Sequence, residues 1–147
     1  MNLPFLRNLP GLGGRPINRI VTTTAASTTG AEAAIQHLLT ELPELLMAAV
    51  VTSSSEQVLA SYTTDTRLWP GAAAAFWSAT VQQLQSAQVA QGQGEEKIEE
   101  ILTTLASQLH LLRLEPGEQH FLYLAIDSRD SNLALAREVM RQAIDLL

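Results

Sequence analysis

The chain has 147 residues, 46% of them hydrophobic and 16% charged, a balance that excludes a disordered polymer and suits one domain with its own core. It contains no cysteine, which excludes disulfides, thiolate metal sites and a cysteine nucleophile. The formal net charge is −6, and residues 1–31 hold three arginines and no acid; the remaining 6 basic and 15 acidic groups make an acidic body without the clustered cations that nucleic-acid binding requires.

Residues 1–29 read as a tail. Pro4, Pro10 and Pro16, with Gly11, Gly13 and Gly14, oppose regular structure, and residues 22–29 are rich in Thr and Ser. Yet Leu3, Phe5, Leu6, Leu9, Leu12 and Ile17 are too apolar for a plain linker. Two readings stay open: a disordered leader, or a segment that docks on a partner or a neighbouring subunit. The prolines and glycines also interrupt the apolar run of a secretory signal, and no stretch reaches the roughly 20 apolar residues of a membrane span. A cytoplasmic protein is the expectation.

Residues 30–147 read as the folded domain. A first helix is expected over about 29–42, where Ala34, Ile35, Leu38, Leu39 and Leu42 recur at helical spacing and Pro43 stops it. "LLMAAVVTS" then reads as a strand that is apolar on both faces, and "QVLASY" as a second one. The serines between them raise the question of a nucleophile. The flanking glycines of a nucleophile elbow are missing, so residues 53–56 read as the turn of a hairpin.

A second helix is predicted from Pro70 to Ala90, with Pro70 at its first position. Trp77, Val81 and Leu84 share one stripe, flanked by Ala73, Phe76 and Thr80. The run Ala72–Ala75 favours helix and leaves a smooth surface for close approach. Gly92 and Gly94 end the helix. The next segment is ambiguous. Ile98, Ile101, Leu102, Leu105 and Leu109 fit a helical stripe, whereas Thr103 and Thr104 favour strand; periodicity alone leans to helix.

"LHLLRLEPGEQHFLYLAID" predicts a hairpin turning at Pro116-Gly117. With those two residues central, Arg113 faces His120, Leu112 faces Phe121 and His110 faces Tyr123. Both faces of the hairpin are apolar, so helices must cover both. The last segment predicts a third helix, capped by Asp130 or Ser131, with Leu133, Ala136, Met140, Ala143, Ile144 and Leu147 on its apolar face.

No constellation of residues carries visible chemistry. His37, His110 and His120 do not converge as metal ligands must. Glu95-Glu96 and Glu99-Glu100 read as a solvated edge, and "GLGGRP" lacks the Lys-Ser/Thr ending of a phosphate loop. No catalytic, cofactor or metal site is expected, which favours binding over catalysis.

Three stretches resemble the roadblock / dynein light chain family: "ELLMAAVVTSSSEQVLASY" is similar to its opening hairpin, "GEEKIEEILTTLASQLHLLRLEPGEQHFLYLAID" to its three-strand meander, and "SNLALAREVMRQA" to its final helix, where Asn132, Leu133, Leu135, Ala136 and Arg137 carry the match. The resemblance covers residues 30–147. It departs at the first turn, where Ser54-Ser55-Glu56-Gln57 replaces the usual Asp-Gly, and in the tail, which has no counterpart. It implies an α+β fold, a five-stranded and mostly antiparallel sheet with helices on both faces, in the order α-β-β-α-β-β-β-α. It also implies that the ambiguous stretch, residues 97–105, is an edge strand.

In that family the edge strand pairs with its twin in a second subunit and the second helices pack side by side, giving a C2 homodimer. The interface residues so implied are Ala73, Trp77, Val81, Leu84, Ile101, Leu102 and Thr103. The resemblance further implies a non-catalytic regulator of a Ras-like small GTPase, as in bacterial gliding-motility systems, with Arg67 the nearest candidate for an arginine finger. The alternative is a structural adaptor that leaves nucleotide turnover unchanged and uses the tail as a docking arm. A third reading is a small-molecule sensor or enzyme with a pocket between helix and sheet.

Overall fold

The computed structural model describes residues 16–23, 28–129 and 131–147. The elements are β1 (Val21–Thr22), α1 (Thr28–Glu41), β2 (Leu45–Thr52), β3 (Val58–Thr63), α2 (Pro70–Ala90), β4 (Glu100–Thr104), β5 (Gln108–Leu114), β6 (His120–Asp127) and α3 (Leu133–Ile144). The strands form one sheet in the order β1-β3-β2-β6-β5-β4, with every neighbouring pair antiparallel.

Among the described residues the sheet has six strands, not the expected five, and the first element is a strand rather than a helix. The extra strand comes from the region read as a tail. Val21 and Thr22 pair with Ser61 and Ala60, while Asn18 N–H donates to Thr63 O at 2.8 Å and Thr23 N–H to Leu59 O at 3.0 Å. Two residues are too few for a periodicity signal; the open edge of β3 recruits them because its backbone groups need partners. The rest of the tail expected over residues 1–29 lies largely outside the described residues.

The sheet separates two apolar layers. On one face α1 and α3 cover Ala48, Val50, Leu111, Leu122, Leu124 and Ile126. On the other, α2 covers Met47, Ala49, Val51, Leu112, Phe121 and Tyr123. The central strands β2 and β6 are therefore apolar on both sides, as the continuous run in "LLMAAVV" requires. Gly30 lets α1 meet the end of α3: a Cβ there would lie 2.5 Å from Leu146 O.

Local geometry corrects two expectations. The β5–β6 register pairs Leu112 with Tyr123, Arg113 with Leu122 and His110 with Ala125. The turn is one pair longer than expected: Glu115 N–H donates to His120 O at 3.0 Å, and Glu118 takes φ 57° behind Pro116-Gly117. Because the pairing shifts by two residues, every side chain keeps its face. The cap of α3 is Asn132, whose side chain accepts from Leu135 N–H at 3.2 Å, and not Ser131; Asp130 lies outside the described residues. At the first hairpin, Thr52 N–H donates to Gln57 O and Glu56 N–H to Thr52 O. The serines there form the turn.

Candidate interaction surface

Residues 68–94 carry no charge, so all of α2 is uncharged. One side of it is core. Ala74, Trp77, Ser78 and Val81 are buried against the sheet, and the Trp77 ring lies 5.7 Å from that of Tyr123. The small side chains of Ala49 and Ala125 in the same layer leave room for the indole. The outer side of α2 is apolar yet open to solvent. Phe76 is 62% exposed and Leu84 41%, and Phe76 sits edge-on against Trp77 at 5.1 Å. Large apolar side chains on a charge-free helix flank mark a contact surface rather than a solvated one.

The C-terminal half of α2 lies beside the free edge of the sheet. Among the described residues β4 pairs only with β5, which leaves the backbone groups of its other side without a strand partner there. Its side chains alternate: Ile101 packs under α2, while Leu102 lies on the α1/α3 face and is 36% exposed. A groove of about 750 Å³ runs between the two elements, with Leu84 and Ala87 on one bank and Ile98, Ile101 and Leu102 on the other. The opposite edge of the sheet is already capped by β1. Among the described residues the sheet therefore ends in the two-residue β1 on one side and in the longer, apolar β4 on the other, an edge of the kind that natural sheets cover with a partner.

The α3 face holds β4 in position. Glu100 accepts from Arg137 Nε at 2.7 Å and lies 3.6 Å from Arg113 Nη1. One carboxylate, 17% exposed, thus ties β4 to β5 and to α3. This is the structural role of Arg137 in the Asn-Leu-x-Leu-Ala-Arg stretch. In the same stretch Asn132 caps the helix, Ala136 is fully buried, Leu133 packs at the core margin and Leu135 is exposed.

The implied interface residues thus divide. Leu84, Ile101 and Leu102 line the groove; Thr103 is half-buried on β4, and Ala73 is half-buried in the first turn of α2, away from the groove's lining. Trp77 and Val81 point into the core, at 6% and 4% exposure. They shape the surface from beneath. Sequence periodicity placed them with Leu84 on one stripe but could not say which flank of that stripe the sheet covers. Phe76, one residue from Trp77, carries the exposed aromatic ring.

Arg67 lies in the β3–α2 loop with its side chain 88% exposed, and its guanidinium and backbone N–H both bind the Asp65 carboxylate. That pairing lowers the Asp65 pKa and raises that of Arg67. Asp127 and Arg129 repeat the arrangement in the β6–α3 loop, where the Arg129 hydrogen bonds pull Asp127 down to about 2. Both loops border a pocket of about 390 Å³ floored by Leu46.

Beneath α2 a short polar chain crosses the second layer. His110 Nε2 is 2.9 Å from Gln108 Oε1, an acceptor, so Nε2 carries the hydrogen. Nδ1 then accepts from the Tyr123 hydroxyl at 2.6 Å. Burial lowers the His110 pKa and pushes Tyr123 up to about 12 against a smaller pull from Trp77. His120 lies on the other face, paired with Glu115, and His37 bonds Gln142 at 3.0 Å. Among the described residues no group of three or more His, Cys, Asp or Glu side chains is placed to hold a metal ion, and no helix is long and apolar enough to cross a membrane.

No family model matches the sequence, and no curated protein matches it significantly. Solved structures do. Myxococcus xanthus MglB superposes with a TM-score of 0.72 over 86% of this chain and 90% of its own, at 15% identity. The gliding protein MglB from Thermus thermophilus gives 0.64 over 81% and 88%, at 18% identity. A Roadblock/LC7 domain from Streptomyces avermitilis gives 0.64 over 75% and 88%, also at 18%. This is a roadblock-type fold.

Identities this low establish the fold, and the roadblock architecture accounts for the segment that periodicity misread. The stretch around Ile98–Leu109 is strand at Glu100–Thr104, although its apolar spacing favours helix. Its Thr103-Thr104 pair was the local sign, outweighed in the sequence by the spacing of its leucines and isoleucines. A further MglB, solved in a tetrameric arrangement, superposes at a TM-score of 0.64 with 18% identity over 80% of this chain and 86% of its own.

Proposed function

We propose that this protein is a non-catalytic regulatory module that acts as a homodimer, binds a Ras-like small GTPase and modulates its nucleotide cycle. The observation that carries the reading is two apolar surfaces, the groove where Leu84 on the uncharged α2 meets Ile101 and Leu102 of the open β4 edge, and the exposed Phe76 ring earlier on the same helix. A second copy related by a twofold axis satisfies both parts at once. Its β4 continues the sheet, and its α2 covers the apolar flank. The interface then comprises Ala73, Phe76, Leu84, Ile101, Leu102 and Thr103, with Trp77 and Val81 supporting it from the core. Residues 30–147 form the roadblock unit, and 1–29 an accessory segment whose short strand caps the β3 edge. The setting is the cytoplasm of a bacterium.

The roadblock fold and the sequence resemblance support a GTPase as the partner. A regulator of this kind holds the switch segments and needs no catalytic group of its own; Arg67 is the residue to test for a contribution to hydrolysis. Affinity capture from native lysate, run in parallel with GDP and with a non-hydrolysable GTP analogue, should retain a small GTPase in one nucleotide state. Its nucleotide release or hydrolysis should then change at saturating protein. Retention with neither rate altered leaves the adaptor reading; no GTPase in either state refutes the proposal.

A further inference from the structure

A groove of about 280 Å³ lies where the first turn of α2 meets β1 and β3. Its walls are apolar. Pro16 and Val21 come from the N-terminal segment, Val58 from β3, and Trp69 and Pro70 from the start of α2. Val21 is 38% and Trp69 52% exposed. Gly71 sets the indole in place: a Cβ there would lie 2.9 Å from Trp69 Nε1, so the ring lies against the first turn of the helix. Exposed apolar walls around a concavity mark a surface that something covers.

The point where the chain enters the groove indicates what covers it. Pro16 lines the groove and is the first described residue, so residues 1–15 run on from its wall. The stretch that follows is already tied to β3 by the N–H groups of Asn18 and Thr23. Residues 1–15 hold a repeat, Asn-Leu-Pro-x-Leu, at 2–6 and again at 8–12. Each proline fixes its own φ and disfavours the helical region for the leucine before it, so both units are biased towards an extended form. A groove this small takes an extended segment rather than a helix about 10–12 Å across, and a pre-extended segment loses little entropy on docking. The second unit is the better placed. Gly13-Gly14, between Leu12 and Pro16, permit the chain to reverse onto the groove. Residues 8–12 also carry no charge, which suits a lining whose charged member is Arg19.

We propose that residues 8–12 fold back and dock in this groove of the same chain, with Leu9, Pro10 and Leu12 filling it against Val21, Val58 and Trp69. The N-terminal segment is then a built-in ligand at the start of α2, and a partner that reads the groove has to displace it. The groove shares no lining residue with the one beside β4, so the contact does not rest on the homodimer or on a GTPase.

The test is a competition. A fluorescent peptide of residues 1–15 is titrated, read by polarisation, against the full chain and against the full chain carrying Leu9→Ser and Leu12→Ser. Both changes precede the first element, β1. The variant should bind the peptide saturably. Wild type should bind it at least about tenfold more weakly, because a tethered competitor acts at an effective concentration of order millimolar. Trp69→Ala or Val21→Ser, added to the variant, should each abolish binding without changing far-UV circular dichroism, since both side chains are exposed. No binding to the variant, equal binding to variant and wild type, or binding that survives both groove changes overturns the proposal. The absence of cysteine allows a second measurement. A nitroxide on Arg7→Cys should broaden the NMR signal of the Trp69 indole N–H in its own chain. It should leave that signal sharp in an isotope-labelled chain without nitroxide, co-refolded with the spin-labelled one. Broadening in the co-refolded sample would place the segment on another copy and overturn docking within one chain.

Discussion

Tyr123 sits where α2 meets the sheet, 2% exposed, with its hydroxyl on His110. Burial raises its pKa from 10 to about 12. The sign follows from linkage. In the unfolded chain the phenol ionises near 10; in the folded chain it stays neutral until about 12. The folded state binds the extra proton in between, so stability is intact below pH 10 and falls as pH rises through 12. Two pKa units correspond to about 3 kcal/mol. Tyr123→Phe has no such proton to lose. At pH 8 it should be less stable than wild type by about 1–2 kcal/mol, because His110 Nδ1 loses its donor. Above about pH 11 the order should reverse. Urea unfolding of both proteins at fixed concentration, in steps from about pH 8 to 12, reads the difference and cancels alkaline effects common to both. Two curves that stay parallel over the whole range would refute the assignment of Tyr123 as a buried, neutral phenol.

Three further outcomes are expected. Leu102→Lys and Phe76→Glu should each shift the mass measured by multi-angle light scattering from dimer to monomer while leaving far-UV circular dichroism unchanged; a persistent dimer in both places the interface elsewhere. Trp77→Ala should instead cost about 3–5 kcal/mol in denaturant unfolding, because the indole fills the layer between α2 and Tyr123, and a loss below about 1 kcal/mol would show that the ring is not core. His110 is held neutral by burial, so its contribution is complete above its unfolded pKa of 6.5 and should fade as pH drops below that value; His110→Gln should flatten that part of the stability profile, and an unchanged slope contradicts it.

Read alone, the order of residues specifies the helices, the central strands and the need to cover both faces of the sheet. Those follow from local rules. Pro43 and Pro70 bound helices because proline cannot sit inside one, and "LLMAAVV" is apolar at every position because it lies between two layers. Hairpin faces were legible for the same reason, and survived a register shift because side chains alternate with period two. Packing set everything that depends on what lies alongside. Ile98–Leu109 spaces its apolar residues like a helix and becomes strand at Glu100–Thr104 only because β5 offers it a ladder and Glu100 locks it to α3. Val21–Thr22 is a strand only because β3 has an open edge. Trp77 and Phe76 are adjacent in sequence, yet one is core and the other surface, and the angle at which α2 lies on the sheet sets which is which. The tips of the two hairpins, far apart in the chain, are likewise joined by the hydrogen bond from Ser53 N–H to Gln119 O, a proximity that no local rule encodes.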